Sequence, residues 1–192
     1  AMAVRDILNL ERVDLIPAAK SPLKDQATVE AMHRLAMLER AVADLHGVAV
    51  DARELDRPGP SYTADTLADL RHEYGAERTL VWIIGADILA TLPRWSRWRE
   101  LLEFAHIVVM ARPDAEPHPP EVSAWLEENK SDQAGLLTRP RGGVFTLAQP
   151  LLDISSSDIR AMIAAGRDPR FLLPDGVMEY ISDHALFSRA LP

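Results

Sequence analysis

The apolar positions of this chain fall into short unbroken runs separated by stretches of helical spacing. Val13 to Pro17, Val48 to Val50, Thr79 to Ile84, Ile107 to Met110 and Val144 to Gln149 read as buried strands. Thr28 to His46 spaces Met32, Leu35, Ala36, Leu38, Val42 and Leu45 as a helix does, and Gly47 stops it. Thr63 to Tyr74 reads as a helix with Leu67 and Leu70 inward and Gly75 behind it. Further helices are expected over Ser96 to Phe104, Ser156 to Ala165 (stopped by Gly166) and Pro174 to His184. The first ten residues, Ala1 to Leu10, already follow a helical pattern. Asp114 to Pro140 is Pro-rich and polar around one short helix, and reads as a surface insertion.

Strands that are apolar throughout and alternate with helices belong to a parallel sheet covered on both faces. The expectation is therefore α/β, with no repeats or linkers to divide residues 1–192 into more than one domain.

Composition narrows the partners. A net charge of −8 argues against wrapping a nucleic-acid backbone, which needs a basic face. A small phosphorylated ligand stays open, because a few cations and helix N-termini suffice to hold it. The absence of cysteine rules out disulfides and thiolate metal sites and suits the cytoplasm. No apolar run is long enough for a membrane helix. The histidines His33, His46, His72, His106, His118 and His184 show no metal-ligand spacing, and each reads as a surface or helix-end residue.

Four segments carry candidate chemistry. In Ile154-Ser155-Ser156-Ser157-Asp158-Ile159-Arg160, three hydroxyls open an amphipathic helix. Unpaired N–H groups and the helix dipole favour an anion there, and Arg160 adds a fork of donors suited to phosphate. A plain N-cap explains the serines equally well. In Pro60-Ser61-Tyr62-Thr63-Ala64-Asp65-Thr66-Leu67, Ser61 or Thr63 can cap the following helix, or its backbone donors can read a carboxylate. Gly85 ends a strand where open α/β sheets bind ligands, with Asp87, Pro93 and Trp95 close behind. Lys20 and Lys24 lie in the loop after the first strand.

These segments resemble known ones. ISSSDIR is similar to the C-terminal ISSTxIR signature of the nucleotidyltransferase superfamily, and PSYTADTL resembles the PSYTxxTL segment of bacterial nicotinate-nucleotide adenylyltransferases. The resemblance implies a Rossmann-like, doubly wound parallel sheet with helices on both faces. It implies adenylyl transfer from ATP to nicotinate mononucleotide in NAD biosynthesis, giving deamido-NAD and pyrophosphate. Sites for ATP would be Gly85, Asp87, Arg112, Ile154, Ser155, Ser156, Ser157 and Arg160, with Asp87 near the ribose and the serine-led helix start on the triphosphate. Sites for the mononucleotide would be Lys24, Ser61, Tyr62, Thr63 and Trp95, the last stacking on the pyridine. Leu23 stands where many relatives have a histidine. Mg²⁺ would ride on the ATP phosphates, without protein metal ligands. A homodimer stays open.

Two rivals share these features: a sister transferase with another phosphorylated substrate, and a nucleotide-binding module that has lost catalysis. The second arises because relatives begin with a strand and a His-x-Gly-His motif, and the sequence carries no such motif and hence no catalytic histidine. The expectation is that a strand–loop–helix-start unit of about twenty residues precedes Ala1, the length such a unit needs. The short chain by itself should have little activity. An intact mass of 21.3 kDa for the purified protein would contradict that preceding segment.

Overall fold

Strand β4, His106–Ala111, is buried from His106 through Val109 on both of its faces. It pairs in parallel with β3 (Val81–Gly85) on one edge and β5 (Val144–Ala148) on the other. A strand covered on both edges and both faces has no room for the polar alternation of a half-exposed sheet, hence the unbroken Ile107-Val108-Val109-Met110. The computed structural model describes residues 1–19, 29–111, 117–148 and 154–188. These fall into two units, Ala1–Leu10 with Ser61–Leu151, and Glu11–Pro60 with Leu152–Pro192.

In the first unit, one face of the sheet gathers Val4 and Leu8 from helix α1 (Met2–Ile7) and its end, Val108, Leu147, and Leu136. Each such side chain contributes about 1.5–3 kcal/mol by leaving water. Helix α3 (Thr63–Tyr74) buries Ala64, Thr66, Leu67 and Leu70, and ends at Gly75 with a φ of 81°.

The connection from β3 to β4 departs from the expected helix over Ser96 to Phe104. It runs through short 3₁₀ turns at Ala86–Ala90, Leu92–Arg94 and Trp98–Glu100 into a one-turn helix α4, Leu101–Phe104. Arg97, at φ 53° and ψ 36°, is left-handed and interrupts the helix the spacing suggested. The polar segment before β5 also needs correcting. It holds two helices, α5 (Pro120–Glu128) and α6 (Gln133–Leu137), and sends Val122, Trp125 and Leu136 into the core. Pro119 and Pro120 sit at the start of α5, where their missing N–H costs nothing, and the charged residues of the segment face water. Trp125 meets Trp98 edge-on, ring centroids 5.3 Å apart, so Trp98 is a packing residue.

In the second unit, β1 (Val13–Leu15) and β2 (Val48–Val50) pair in parallel across helix α2 (Ala31–Val42). Helix α8 (Asp175–Asp183) packs on α2 through Tyr180, whose hydroxyl lies 2.9 Å from His33 Nδ1 and whose ring lies under the Arg40 guanidinium at 4.2 Å. Helix α7 (Ser156–Ala164) ends before Gly166, at φ 66°. Met32 is exposed, although its spacing matched the apolar stripe of α2. All described strands are parallel and alternate with helices, which is the α/β class.

At the amino edge of the three-stranded sheet, one side chain joins the segments that precede its strands. Arg71, near the end of α3, donates to the carbonyls of Gly75 (2.8 Å), Ala76 (3.2 Å), Arg78 (2.6 Å), Phe104 (2.9 Å) and Pro140 (3.0 Å). Burial, with Arg141 nearby, lowers its pKa from the ordinary arginine value. The guanidinium remains charged.

His106 opens β4 and is not the surface residue expected; it is fully buried. Gly143 N–H donates to its Nδ1 at 2.9 Å, so Nε2 carries the proton and donates to the Arg139 carbonyl at 2.8 Å. A Cβ on Gly143 would stand 3.0 Å from Leu136 Cδ2 and Ser131 Cβ, so only glycine comes this close. Burial holds the imidazole pKa below its ordinary 6.5.

Because the folded pKa is depressed, the unfolded chain binds the extra proton first. Stability from this group is complete above about pH 6.5, the unfolded value, and falls as the pH drops towards the folded pKa. Denaturant unfolding of the wild type should therefore show a loss below that pH that His106→Leu lacks. The variant should be less stable by about 1–3 kcal/mol for each bond partner it strands. Parallel pH profiles would refute this.

Candidate nucleotide site

Helix α3 begins without a side-chain cap. Its N-cap residue is Tyr62, in extended conformation at φ −111° and ψ 135°, and the tyrosine side chain makes no capping bond. The Tyr62 carbonyl accepts from the N–H groups of Asp65 (3.0 Å) and Thr66 (3.1 Å), which starts the helical ladder. The N-cap position thus falls on Tyr62, between the two residues, Ser61 and Thr63, that the sequence offered as caps. Ser61 is buried, Thr63 half-buried and Tyr62 37% exposed, so this backbone reaches solvent only at the helix tip. First-turn amides left this way favour an anion, and a carboxylate meets that requirement.

The carboxyl edge of the three-stranded sheet lies in the same unit. Gly85 ends β3 opposite Met110, and Ala111 of β4 stands opposite Ala148. Gly85 has an ordinary extended backbone, φ −78° and ψ 153°, so no left-handed turn demands glycine. Proximity does. A Cβ there would stand 2.3 Å from Asp87 Oδ1, because the aspartate folds back over the strand end. Asp87 itself is exposed at the start of a 3₁₀ turn. Trp95 follows two turns later, half-buried, with its N–H donating to the Leu92 carbonyl at 2.9 Å.

The serine-led helix is in the second unit. Ser155 is the N-cap of α7: its Oγ accepts from Asp158 N–H at 3.0 Å and donates to the Asp158 carboxylate. The Ser155 hydroxyl is thus a side-chain N-cap, oriented by the Asp158 carboxylate, so the capping account of these serines holds for Ser155. Ser156 and Ser157 are exposed in the first turn, and Arg160 Nη2 donates to Ser157 Oγ at 3.0 Å. Ile154, just before the helix, is 38% exposed. The helix tip therefore presents one guanidinium and two hydroxyls to solvent. Lys24 and Arg112 lie outside the described residues.

A surface cavity of about 510 Å³ in the first unit is lined by Ala68, Arg71, His72, Ala76, Glu103, Phe104 and Arg141. None of the residues singled out from the sequence lines it. Its walls come from the amino edge of the sheet, whereas open parallel sheets bind ligands beyond their carboxyl ends. Among the described residues, no three His, Asp or Glu side chains group as metal ligands, and no helix is long and apolar enough to cross a membrane.

A family model described as cytidylyltransferase-like matches residues 1–162. The "Probable nicotinate-nucleotide adenylyltransferase" of Pseudomonas putida (strain W619) is 41% identical over 97% of this chain and 86% of its own length. A protein of the same name from Pseudomonas paraeruginosa (strain PA7) is 43% identical over 97% of this chain and 88% of its own. The chain belongs to the nicotinate-nucleotide adenylyltransferase family.

Its fold agrees with that of more distant proteins. Plasmodium falciparum nicotinic acid mononucleotide adenylyltransferase complexed with NaAD matches with a TM-score of 0.67 at 16% identity, over 97% of this chain and 88% of that one. This places the α/β arrangement of the adenylyltransferase chain among Rossmann-like folds.

Two features of this adenylyltransferase were not visible as motifs. One is the close approach of the Asp87 carboxylate to Gly85; the other is an ion pair between Arg97 and Asp65, which joins the Trp95 loop to the first turn of α3. In Gly85→Ala the backbone fits, and stability should stay within about 1 kcal/mol of wild type. The Asp87 carboxylate, however, must move by about 1 Å to reach ordinary contact distance. A crystal structure of the variant with Asp87 unmoved would contradict this account.

Proposed function

We propose that this chain transfers the adenylyl group of ATP to nicotinate mononucleotide, giving deamido-NAD and pyrophosphate in NAD biosynthesis. The observation that carries this reading is identity of 41–43% over 97% of the chain to relatives named for that activity. A phosphate oxygen of the mononucleotide attacks the α-phosphorus of ATP. The bond from that phosphorus to the oxygen bridging to the β-phosphate breaks, and pyrophosphate leaves with the electron pair. Such a displacement needs alignment and charge neutralisation more than a protein nucleophile.

In this reading the start of α7 takes the β- and γ-phosphates. Its first-turn amides, Ser156, Ser157 and Arg160 face solvent, and the Ser155–Asp158 cap keeps the helix wound to its tip. Asp87, exposed and held over Gly85, accepts from the ribose hydroxyls. Gly85 leaves room for that carboxylate. Trp95 stacks on the pyridine, and the uncapped amides at Tyr62 and Thr63, beside Ser61, read the carboxylate that distinguishes nicotinate from nicotinamide. Lys24 and Arg112 complete the phosphate contacts by their place in the sequence. Mg²⁺ bound to the ATP phosphates would supply charge neutralisation; it keeps most of its water and needs few protein oxygens. The finer fold that goes with this reading is a single doubly wound domain with helices on both faces.

Steady-state pyrophosphate release with each substrate varied separates the two binding roles. Arg160→Ala should lower kcat/KM for ATP by about 10–100-fold, the value of a charge-assisted bond to phosphate. Trp95→Ala should raise KM for nicotinate mononucleotide by about two- to tenfold, as loss of one aromatic stack does. Unchanged kinetics in both variants would overturn these assignments.

A further inference from the structure

Of the two residues between Trp95 and Trp98, the second has an unusual backbone. Arg97 is left-handed, φ 53° and ψ 36°, a region that long L-side chains enter at a cost and that glycine or asparagine would fill more readily. Strain of this kind persists where surrounding contacts hold it, and it concentrates at ligand clamps.

Two contacts hold Arg97. Its Nη2 pairs with Asp65 Oδ1, and its Nη1 lies 3.5 Å from Glu100 Oε2. Asp65 belongs to the first turn of α3, two residues after Thr63, and its own N–H donates to the Tyr62 carbonyl. On the other side of Arg97, Trp98 is locked into the core against Trp125. The reversal at Arg97 thus lies between an anchored indole and a presented one. Trp95, half-buried, is tied on one side by the 3₁₀ turn at Leu92–Arg94, and on the other by the Arg97–Asp65 pair.

We propose that Arg97 is a positioning residue for the mononucleotide: paired with Asp65, it fixes the Trp95 plate relative to the uncapped start of α3. The inference rests on the reading above, in which these two elements take the ring and the carboxylate of one pyridine. An isolated ion pair at this degree of exposure adds little to stability, so its consequence should appear in binding rather than in folding. A misplaced plate weakens recognition of the pyridine and leaves the triphosphate site untouched.

The test is steady-state pyrophosphate release by the full-length enzyme, with thermal unfolding run alongside. Arg97→Ala and Asp65→Ala should each raise KM for nicotinate mononucleotide by about fivefold, with KM for ATP and kcat within about twofold of wild type. The charge-exchanged double variant, Asp65→Arg with Arg97→Asp, should recover most of that loss. Arg97→Gly, which relieves the backbone but removes the guanidinium, should behave like Arg97→Ala. An unchanged mononucleotide KM in Arg97→Ala, an equal effect on both substrates, wild-type behaviour of Arg97→Gly, or no recovery in the exchanged pair would each overturn the proposal. Trp95→Ala serves as the reference. If it raises the mononucleotide KM while Arg97→Ala does not, only the positioning role fails; if it too has no effect, the pyridine site fails and takes this inference with it.

Discussion

Parallel strands have no hairpin turn to set their register, so something else must fix where each begins. In the three-stranded sheet that constraint is the Arg71 guanidinium. It binds three carbonyls of the turn after α3, the carbonyl of Phe104 two residues before β4, and that of Pro140 ahead of β5. The bonds to Phe104 and Pro140 are partly buried, so there the guanidinium replaces water that packing removes. A charged donor among them makes stronger bonds than a neutral one. Next to it, His106 joins the first residue of β4 to Arg139 and Gly143 through a single neutral tautomer. With the starts of the strands set, their ends follow. Gly85 comes to rest beside Met110 and Ala111 beside Ala148, and the ligand-facing edge is defined from its opposite side.

The two helix starts singled out for anions are built differently. Helix α7 carries a serine–aspartate cap, which satisfies one amide and leaves Ser156, Ser157 and Arg160 at the surface. At the start of helix α3 the N-cap residue Tyr62 contributes no side-chain bond to the first amides. A triphosphate brings enough charge to bind beside a carboxylate such as Asp158, given an arginine on the same turn. A single carboxylate does not, and an uncapped start serves it better. This difference fits ATP at one helix and a nicotinate group at the other.

Much of the fold was legible because the periodicities were strong. Strand β2 and helix α3 fall where the patterns put them, and Gly75 and Gly166 stop their helices in left-handed geometry. The misreadings share a cause. Pro119, Pro120 and the charged residues around Trp125 suggested a surface insertion around one short helix, but their polarity belongs to the solvent side of helices whose other side is core. His106 looked like a surface residue because its two partners are backbone groups more than thirty residues away. Arg97 broke an expected helix through a dihedral angle that no neighbour in the sequence announces.

By itself the sequence determined the α/β class, the parallel order of apolar strands, and the short segments that resemble the family's signatures. These depend on local spacing, turn residues and the preferences of helix ends, all of which act over a few residues. Only the tertiary structure decided that the Asp87 carboxylate lies against Gly85, that Ser155 caps while Tyr62 does not, and that Arg97 reaches Asp65. Those are matters of side-chain placement between segments, set by packing and by the need to satisfy buried polar groups across long stretches of chain.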